Sequence, residues 1–537
     1  METRTQLNLA NMIQSQLHIE SKNKLDEWKK NPYKMDPFAT VRFWDMVKEA
    51  PAIYIVGDYD CDGVCACYNM SKAIRHNHPK KPVRVRIPHR ITEGFGINKT
   101  IVEEIKEKMP KGSLIITVDN GIAAADLLEE LRECGYKVIL TDHHELGDNR
   151  MPDVDLLLNP KVPVNGHQYF DGDYWCGAAV AYKIAENYVN DDLRRELEVF
   201  AGIATVGDVM PLKEGNWGLV RRTIESIRHK KAPRSVLNLL SVLKQEPENV
   251  IETSLSFYLV PAINAPGRLF DDGAKKSLGY FLSPTEEKCI ELKDINEQRK
   301  ALRDEQLELI KEEIVRKGME NDCPIWVSVP GLHEGIVGIL AGQIAEEYNV
   351  PAIVMTESST PGVLKGSARS AGDINIFEHL CSFGDIFVKF GGHAGAAGLS
   401  IKEENVDIAR SHQLSKPDKT AFKGINLNIE PKEIKDVAQT CEDYRPFGEG
   451  NEQPLFTIDV NLKKTPPRML GNPAVHLCIQ DPNREYKVLH FFHEPNELKN
   501  KDAFSLTGEV HYETFREQTT PVFHAESICD CEEDLER

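Results

Sequence analysis

Paired cysteines are missing from this chain: its twelve cysteines are scattered and none stands in a C-x-x-C element. That excludes a zinc ribbon and offers no disulfide framework, so reduced thiols are expected. The stretches "CDGVCAC" (Cys61–Cys67) and "CDC" (Cys529–Cys531) then read as packing or surface cysteines rather than a soft-metal site. No apolar run approaches the ~20 residues of a membrane span, and "METRTQLNLANMIQSQLHIE" lacks the basic-then-apolar layout of a secretory signal. A cytoplasmic protein without membrane contact is expected. Internal repeats and low-complexity tracts are also lacking. Positive charge is in deficit, with 65 Lys and Arg against 84 Asp and Glu and a formal net charge of -19. This argues against a protein that grips polyanions over its whole surface.

What is present fits a soluble globular chain, 41% hydrophobic and 28% charged. At 537 residues it exceeds one core, and roughly 150 residues per domain predicts three or four units. The scarce positive charge is concentrated. Ser71–Arg90, "SKAIRHNHPKKPVRVRIPHR", has seven Lys or Arg and no acid, and "RRTIESIRHKKAPR" (Arg221–Arg234) is also basic. Such runs are usually solvated faces, and only position next to other chemistry raises the prospect of phosphate contact.

Residues 1–50 read as a polar helical segment. From 51 to 283, short β-rich runs ("AIYIV", "VRVRI", "SLIITV", "YKVIL") alternate with helical ones, the pattern of an α/β domain with a largely parallel sheet. Ser283-Pro284-Thr285-Glu286 reads as a helix start with serine as N-cap, and no proline or glycine follows until Gly318. That predicts a connecting helix over 284–318, about 50 Å long. A smaller α/β domain over 319–410 and a linker at 411–425 precede alternating strands over 426–537, at spacings that predict a small β-barrel of OB type.

Chemistry concentrates at the ends of apolar runs. "IYIVGDYDCDG" delivers Asp58, Asp60 and Asp62, "SLIITVDNG" Asp119, "YKVILTDHHE" Asp142, His143 and His144, and "FAGIATVGDVMPL" Asp208. Singly, each has a bland reading: "DNG" as a turn, the histidines as a surface pair, and "DYDCDG" as a loop that lacks the glutamate a calcium-binding EF-hand needs. Together they point to one cleft, because open α/β sheets bind ligands beyond the carboxyl ends of their strands. Oxygen-rich sites suit Mg²⁺, Mn²⁺ or Ca²⁺, imidazole favours Mn²⁺ among them and the lack of thiolates disfavours Zn²⁺; so many acids imply two ions, Mn²⁺ or Mg²⁺, about 3.5–4 Å apart, the arrangement used in phosphoryl hydrolysis.

The same four motifs resemble those of the DHH phosphoesterase family, named for Asp142-His143-His144. "IPHRITEGFGIN", "PAINAPGRL", "LHEGIVGILAG", "GSARS", "GGHAGAAG" and "PFGEGNEQPLF" resemble, in matching order, its RecJ branch of single-strand-specific 5′ to 3′ exonucleases. The resemblance implies a DHH catalytic domain, a DHH-associated domain and an OB-fold. It implies that Asp60 and Asp119 hold one ion and that Asp62, Asp119, His143 and Asp208 hold the other. Asp58 would complete or flank the first, and Asp142 and His144 would orient ligands or contact the scissile phosphate. Arg90, Arg268, Ser367 and Arg369 would grip a 5′-terminal phosphate, with Gly392 and His393 on the backbone near the cut. Cleavage is expected between the two α/β domains, with the trailing strand on the barrel. Tyr444, Arg445, Phe447, Phe456 and Arg468 are available there, although such aromatics more often fill a core.

Two departures stand out. "VHYETFREQTTPVFHAESI" (Val510–Ile528) is only loosely similar to the branch's asparagine-containing strand, and Leu332-His333 replaces a tryptophan-histidine pair. The expected activity is a two-metal 5′ to 3′ exonuclease on single-stranded DNA in recombination and repair. The implied partners are a strand with a 5′ end, a helicase and a single-strand-binding protein, for a monomeric enzyme. The rivals are a DHH phosphodiesterase for short RNA or cyclic dinucleotides, which lacks the barrel, and a non-catalytic replication scaffold, which loses metal ligands.

Overall fold

Alternation of buried strand and covering helix sets the architecture. The computed structural model describes residues 3–30, 34–147, 149–417, 424–461, 468–470, 476–491, 503–516 and 518–529. Contacts divide it into two compact units: the first gathers 1–86, 101–260 and 422–537, the second 87–100 and 261–421.

The first unit is built on a five-stranded sheet, β1 (Ile53–Val56), β2 (Val83–Arg86), β3 (Leu114–Val118), β4 (Lys137–Thr141) and β5 (Leu156–Leu158). Its order is β2-β1-β3-β4-β5, and every pairing is parallel. β1 and β3 are buried at every residue, as their Ile/Val-rich runs require when helices cover both faces. The helices here are α1 (Arg4–Leu17), α2 (Asn23–Lys29), α3 (Pro37–Glu49), α4 (Cys61–Asn77), α5 (Lys99–Lys108), α6 (Ala125–Glu133), α7 (Gly177–Ala185), α8 (Asp191–Gly207) and α9 (Glu214–Arg228). β5, only three residues long, is the strand that periodicity did not single out.

The second unit holds the mixed sheet β6 (Ile325–Ser328), β7 (Ala352–Glu357), β8 (Val363–Arg369), β9 (Phe387–His393) and β10 (Ala396–Lys402), in the order β6-β7-β8-β10-β9. Its long helix spans Glu286–Lys317 and ends at Gly318 in the left-handed region (φ 64). The N-cap is Thr285, not Ser283: the Thr285 hydroxyl accepts from the Lys288 amide (3.3 Å).

The C-terminal region of the first unit is a seven-stranded sheet: β11 (Asn426–Asn428), β12 (Leu455–Asn461), β13 (Arg468–Leu470), β14 (His476–Gln480), β15 (Lys487–His490), β16 (Ala503–Phe515) and β17 (Gln518–Cys529), in the order β11-β12-β16-β17-β15-β14-β13. The N-terminal segment packs here. Leu9, Ile13 and Leu17 of α1 share a core with Ile434, Val437 and Ala438 of the helix Ile434–Tyr444. Burying three such side chains contributes about 1.5–3 kcal/mol each. Of the expected linker at 411–425, residues 418–423 lie outside the described residues, as do Asp530 and Cys531 of "CDC".

Most of the positive charge in the two basic stretches is spent on structure. Lys81 donates to the Val47, Lys48 and Ala50 carbonyls at the end of α3, Lys72 pairs with Glu196, and Arg86 pairs with Glu104. In the second stretch Arg221 and Arg228 bind Glu442, and Arg222 binds Glu198. Arg445 is buried against Glu252, and Tyr444, Phe447 and Phe456 are buried in the core, whereas Arg468 is exposed. Cys61, Cys65 and Cys67 are buried packing residues.

Candidate metal centre

β1 ends at Gly57, after which Asp58 Oδ1 accepts from the Tyr59 amide (2.8 Å). Asp60 is the N-cap of α4, its carboxylate accepting from Gly63 N at 3.0 Å. Gly63 passes against the Asp58 backbone, leaving no space for a Cβ. The tight turn therefore places three aspartates at the strand end. Asp62, in the first turn of α4, is buried, and its two oxygens accept from the Gly177 and Ala178 amides (2.6 and 2.7 Å) at the start of α7.

β3 ends in Asp119, which is buried and held in the left-handed region at φ 61. A non-glycine residue there costs about 1–3 kcal/mol and persists only where surrounding structure enforces it. Asn120 helps, donating to the Val56 and Val118 carbonyls (3.0 and 2.9 Å) and so tying the ends of β1 and β3 together. A Cβ on Gly177 would lie 2.5 Å from Asp119 Cβ, so glycine is what lets the α7 start come so near. β4 delivers Asp142, His143 and His144. Asp208 comes from the C-cap of helix α8, in keeping with the helical reading of "RRELEVFAGIATV", and not from a strand end like the other motifs, and is followed by Val209 at φ 52. The run "FAGIATV" is buried helix, and a short apolar run by itself does not separate the two.

These groups converge on one nitrogen. His143 Nε2 lies 3.1 Å from Asp119 Oδ1, 3.5 Å from Asp208 Oδ2 and 3.6 Å from Asp62 Oδ2. Asp119 Oδ1 and both His143 ring nitrogens are buried without a hydrogen-bond partner. Asp62, His143 and Asp208 can each offer one ligand atom within 4.8 Å of the others, and so can Asp119, His143 and His144. Asp58 and Asp60 fall in neither group, though both act electrostatically on Asp119.

The electrostatics agree. Burial and neighbouring aspartates hold the Asp119 carboxyl well above its usual range. Burial and Asp60 raise Asp62 to about 6, while burial, with Asp62 and Asp60, lifts Asp208 to about 7 against the pull of His143. Burial, with the His144 charge, lowers His143 to about 4, leaving it the neutral imidazole a metal requires. Asp142 differs. Burial pushes it up, but the His144 hydrogen bond (Nδ1 to Oδ1, 2.7 Å), the charges of both histidines and the Ile122 amide outweigh burial and leave it at about 2. Burial opposes charge on His144, yet Asp142 raises its pKa to about 9. Asp142 is thus enclosed as a brace for its neighbour, and only His144, whose side chain is 55% exposed, can face a substrate. The donor set of carboxylate and imidazole with orphaned buried atoms fits divalent ions.

Comparison with known proteins agrees with this geometry. The DHH family N-terminal domain matches residues 52–207, the DHHA1 domain 323–412 and the RecJ OB domain 425–527. The single-stranded-DNA-specific exonuclease RecJ of Bacillus subtilis (strain 168) is 30% identical over 515 residues, covering 90% of this chain. The chain thus carries a DHH domain, a DHHA1 domain and a RecJ OB domain in that order, and is similar to RecJ exonucleases over most of its length. It spans 63% of the Bacillus subtilis protein's length. RecJ of Escherichia coli (strain K12) is 28% identical over 469 residues, 81% of this chain and 79% of that protein. A crystal structure of RecJ in complex with Mn²⁺ from Thermus thermophilus shares the fold, with a TM-score of 0.73 at 23% identity over 97% of this chain and 78% of that one. Another, of exonuclease RecJ bound to manganese, gives 0.56 at 27% identity over 71% and 93%.

The remaining RecJ-motif residues lie in the second unit. Strand register sets Arg369 of β8 and His393 of β9 on either side of Ala396 in β10, and sets Gly392 beside Ala397. Arg369 Nη1 donates to Ser367 Oγ and the Ala368 carbonyl, both at 2.9 Å. Gly338, at the start of the helix Val337–Tyr348, makes room for the guanidinium: a Cβ there would sit 2.9 Å from Arg369 Nη2. Gly392 presses on the Ala396 backbone, and His393 Nδ1 accepts from Gly395 N (3.3 Å). Arg90 lies in the loop that Asp271 binds through the Ile91 and Thr92 amides, and Gly335 packs on the Arg268 backbone. Sequence reasoning missed Asn120, Gly177 and the two α7 amides. The small-residue opening of "CGAAVA" was their one visible trace.

Proposed function

We propose that this chain is a metal-dependent exonuclease that hydrolyses single-stranded DNA from its 5′ end to mononucleotides, in recombination and repair. One observation carries the proposal: two buried carboxylates, a half-buried third and a neutral imidazole face one another with orphaned atoms, a crowding that divalent cations would relieve at neutral pH. Relatives named single-stranded-DNA-specific exonuclease RecJ support the substrate, and RecJ structures with manganese support Mn²⁺, or Mg²⁺, as the ion.

Asp62, Asp119, His143 and Asp208 would hold one ion, and Asp60 and Asp119 the other, with Asp58 beside it. Such ions, when bound, supply an activated water and offset charge developing on phosphorus. The chain's own groups do the rest. Asp142 keeps a proton on His144 Nδ1, so the exposed imidazolium presents its other N–H to a phosphate oxygen. The Gly177 and Ala178 amides fix Asp62, and the Asn120 bridge fixes Asp119, which keeps the donors in place between turnovers.

Arg369, with Ser367, would bind the 5′-terminal phosphate, assisted by Arg90 and Arg268, while Gly392 and His393 would meet the backbone. The match to a RecJ OB domain supports retention of a polymer rather than a dinucleotide. The proposal includes a cytoplasmic monomer supplied with strand by a helicase and a single-strand-binding protein. Digestion of end-labelled strands in Mn²⁺ or EDTA tests it. Mononucleotides should leave a 5′-labelled DNA strand first, and release from the 3′ end, release of long oligomers, or activity in EDTA would refute it.

A further inference from the structure

The segment in which the sequence departs from the RecJ pattern carries a second constellation. Glu509, His511 and Glu513 alternate along β16 and so share one face, and strand register places His524 of β17 opposite Glu509. The His511 and His524 rings stack at 4.3 Å and 9°. His524 Nε2 is 2.9 Å from Glu513 Oε1, and His511 Nε2 is 3.7 Å from the same oxygen. One ligand atom from each of the three residues lies within 4.8 Å of the others.

We infer that His511, Glu513 and His524 form a metal site of their own in the C-terminal sheet, taking a first-row transition ion of the zinc class. Ligand bonds of about 2.0–2.2 Å in a tetrahedron set donor atoms about 3.4 Å apart, close to the spacing here. Two imidazoles with one carboxylate select zinc over the magnesium and calcium that all-oxygen sites prefer. His511 Nδ1 is buried without a hydrogen-bond partner and faces Glu509 Oε1 at 3.8 Å. A carboxylate behind a ligating histidine is the usual means of fixing its ring. Glu513, 35% exposed beside His511 at 11% and His524 at 18%, leaves one side open for the ion and a fourth ligand.

The position gives the ion a task. β16 and β17 form a hairpin turned at Arg516 (φ 50), and Thr514, next to Glu513, exchanges two hydrogen bonds with Asn249 (3.0 and 2.6 Å). An ion across the two strands clasps the hairpin end at its attachment to the 247–249 turn.

The full chain, stripped with a chelator and dialysed against excess Zn²⁺, tests the site by metal analysis. His511→Gln/His524→Gln should bind one zinc fewer than the parent, while Asp119→Asn should keep that zinc. Equal zinc content in the parent and the double variant overturns the site. Glu513→Gln preserves shape and should weaken this zinc at least tenfold, so an unchanged affinity overturns it too. Crystals soaked in Zn²⁺ should give anomalous density between the two rings. Density absent there, with the cluster closed by hydrogen bonds alone, also overturns it.

Discussion

The two units carry opposite deficits. In the first, Asp62, Asp119 and Asp208 are crowded beside a histidine that burial keeps neutral, so negative charge lacks a counter-charge. In the second, Arg369 is desolvated and donates only to a hydroxyl and a carbonyl, with no ion pair among the described residues; burial depresses its pKa. One region calls for cations and the other for an anion. The proposed divalent ions would answer the first deficit, and the proposed phosphate substrate the second, each within its own unit. Other buried charges are paired, as Arg445 with Glu252 and Arg228 with Glu442.

The comparison breaks most readily at Asp119. Asp119→Ala should lower turnover by more than about 1,000-fold with the fold retained by circular dichroism, because loss of a mere supporting group already costs about 10–100-fold. Activity within tenfold of the parent would remove Asp119 from the reaction. Asp142→Asn probes the brace rather than the ligands. It should cost about 10–100-fold in kcat, leave Mn²⁺ stoichiometry unchanged, and lower the His144 pKa seen by NMR. In the second unit, Arg369→Ala should raise KM about tenfold or more for 5′-phosphorylated strands and spare kcat, since one charge-assisted contact contributes about 1.5–3 kcal/mol. Arg369→Lys should not restore the preference for phosphate over hydroxyl ends, because the planar fork is lost.

Most of the first deficit was legible in the sequence. Apolar runs ending in aspartate or Asp-His-His identify strand ends, and the topology of a parallel sheet brings such ends together. For Asp208 the sequence offered two readings, a helix over "RRELEVFAGIATV" and a strand end like those of the other motifs, and the helix is the one that forms. The amides that hold Asp62 come from residues far along the chain and leave no periodic mark. The basic stretch at 221–234 misled in the other direction, for composition does not reveal that Glu442 and Glu198 neutralise it. The second deficit rests on Arg369, a single residue whose isolation from carboxylates is a property of packing alone.

The smallest expected effect is on pH dependence. Asp62 and Asp208 have folded pKa values of about 6 and 7, above the unfolded value of about 3.9. They bind protons more tightly when folded, so their contribution is full below pH ~4 and is lost as pH rises through 6 to 7. The metal-free protein should lose at least about 4 °C in Tm between pH 5 and pH 8, and Mn²⁺ should cancel the loss. A flat Tm without metal would mean the carboxylates are already compensated.

The most direct measurement is anomalous diffraction at the manganese edge from crystals grown with Mn²⁺. Two peaks are predicted, one within ligand distance of Asp62, Asp119, His143 and Asp208, the other sharing Asp119. Absence of both peaks, with Asp119 and His143 instead hydrogen-bonded to each other, would contradict the account.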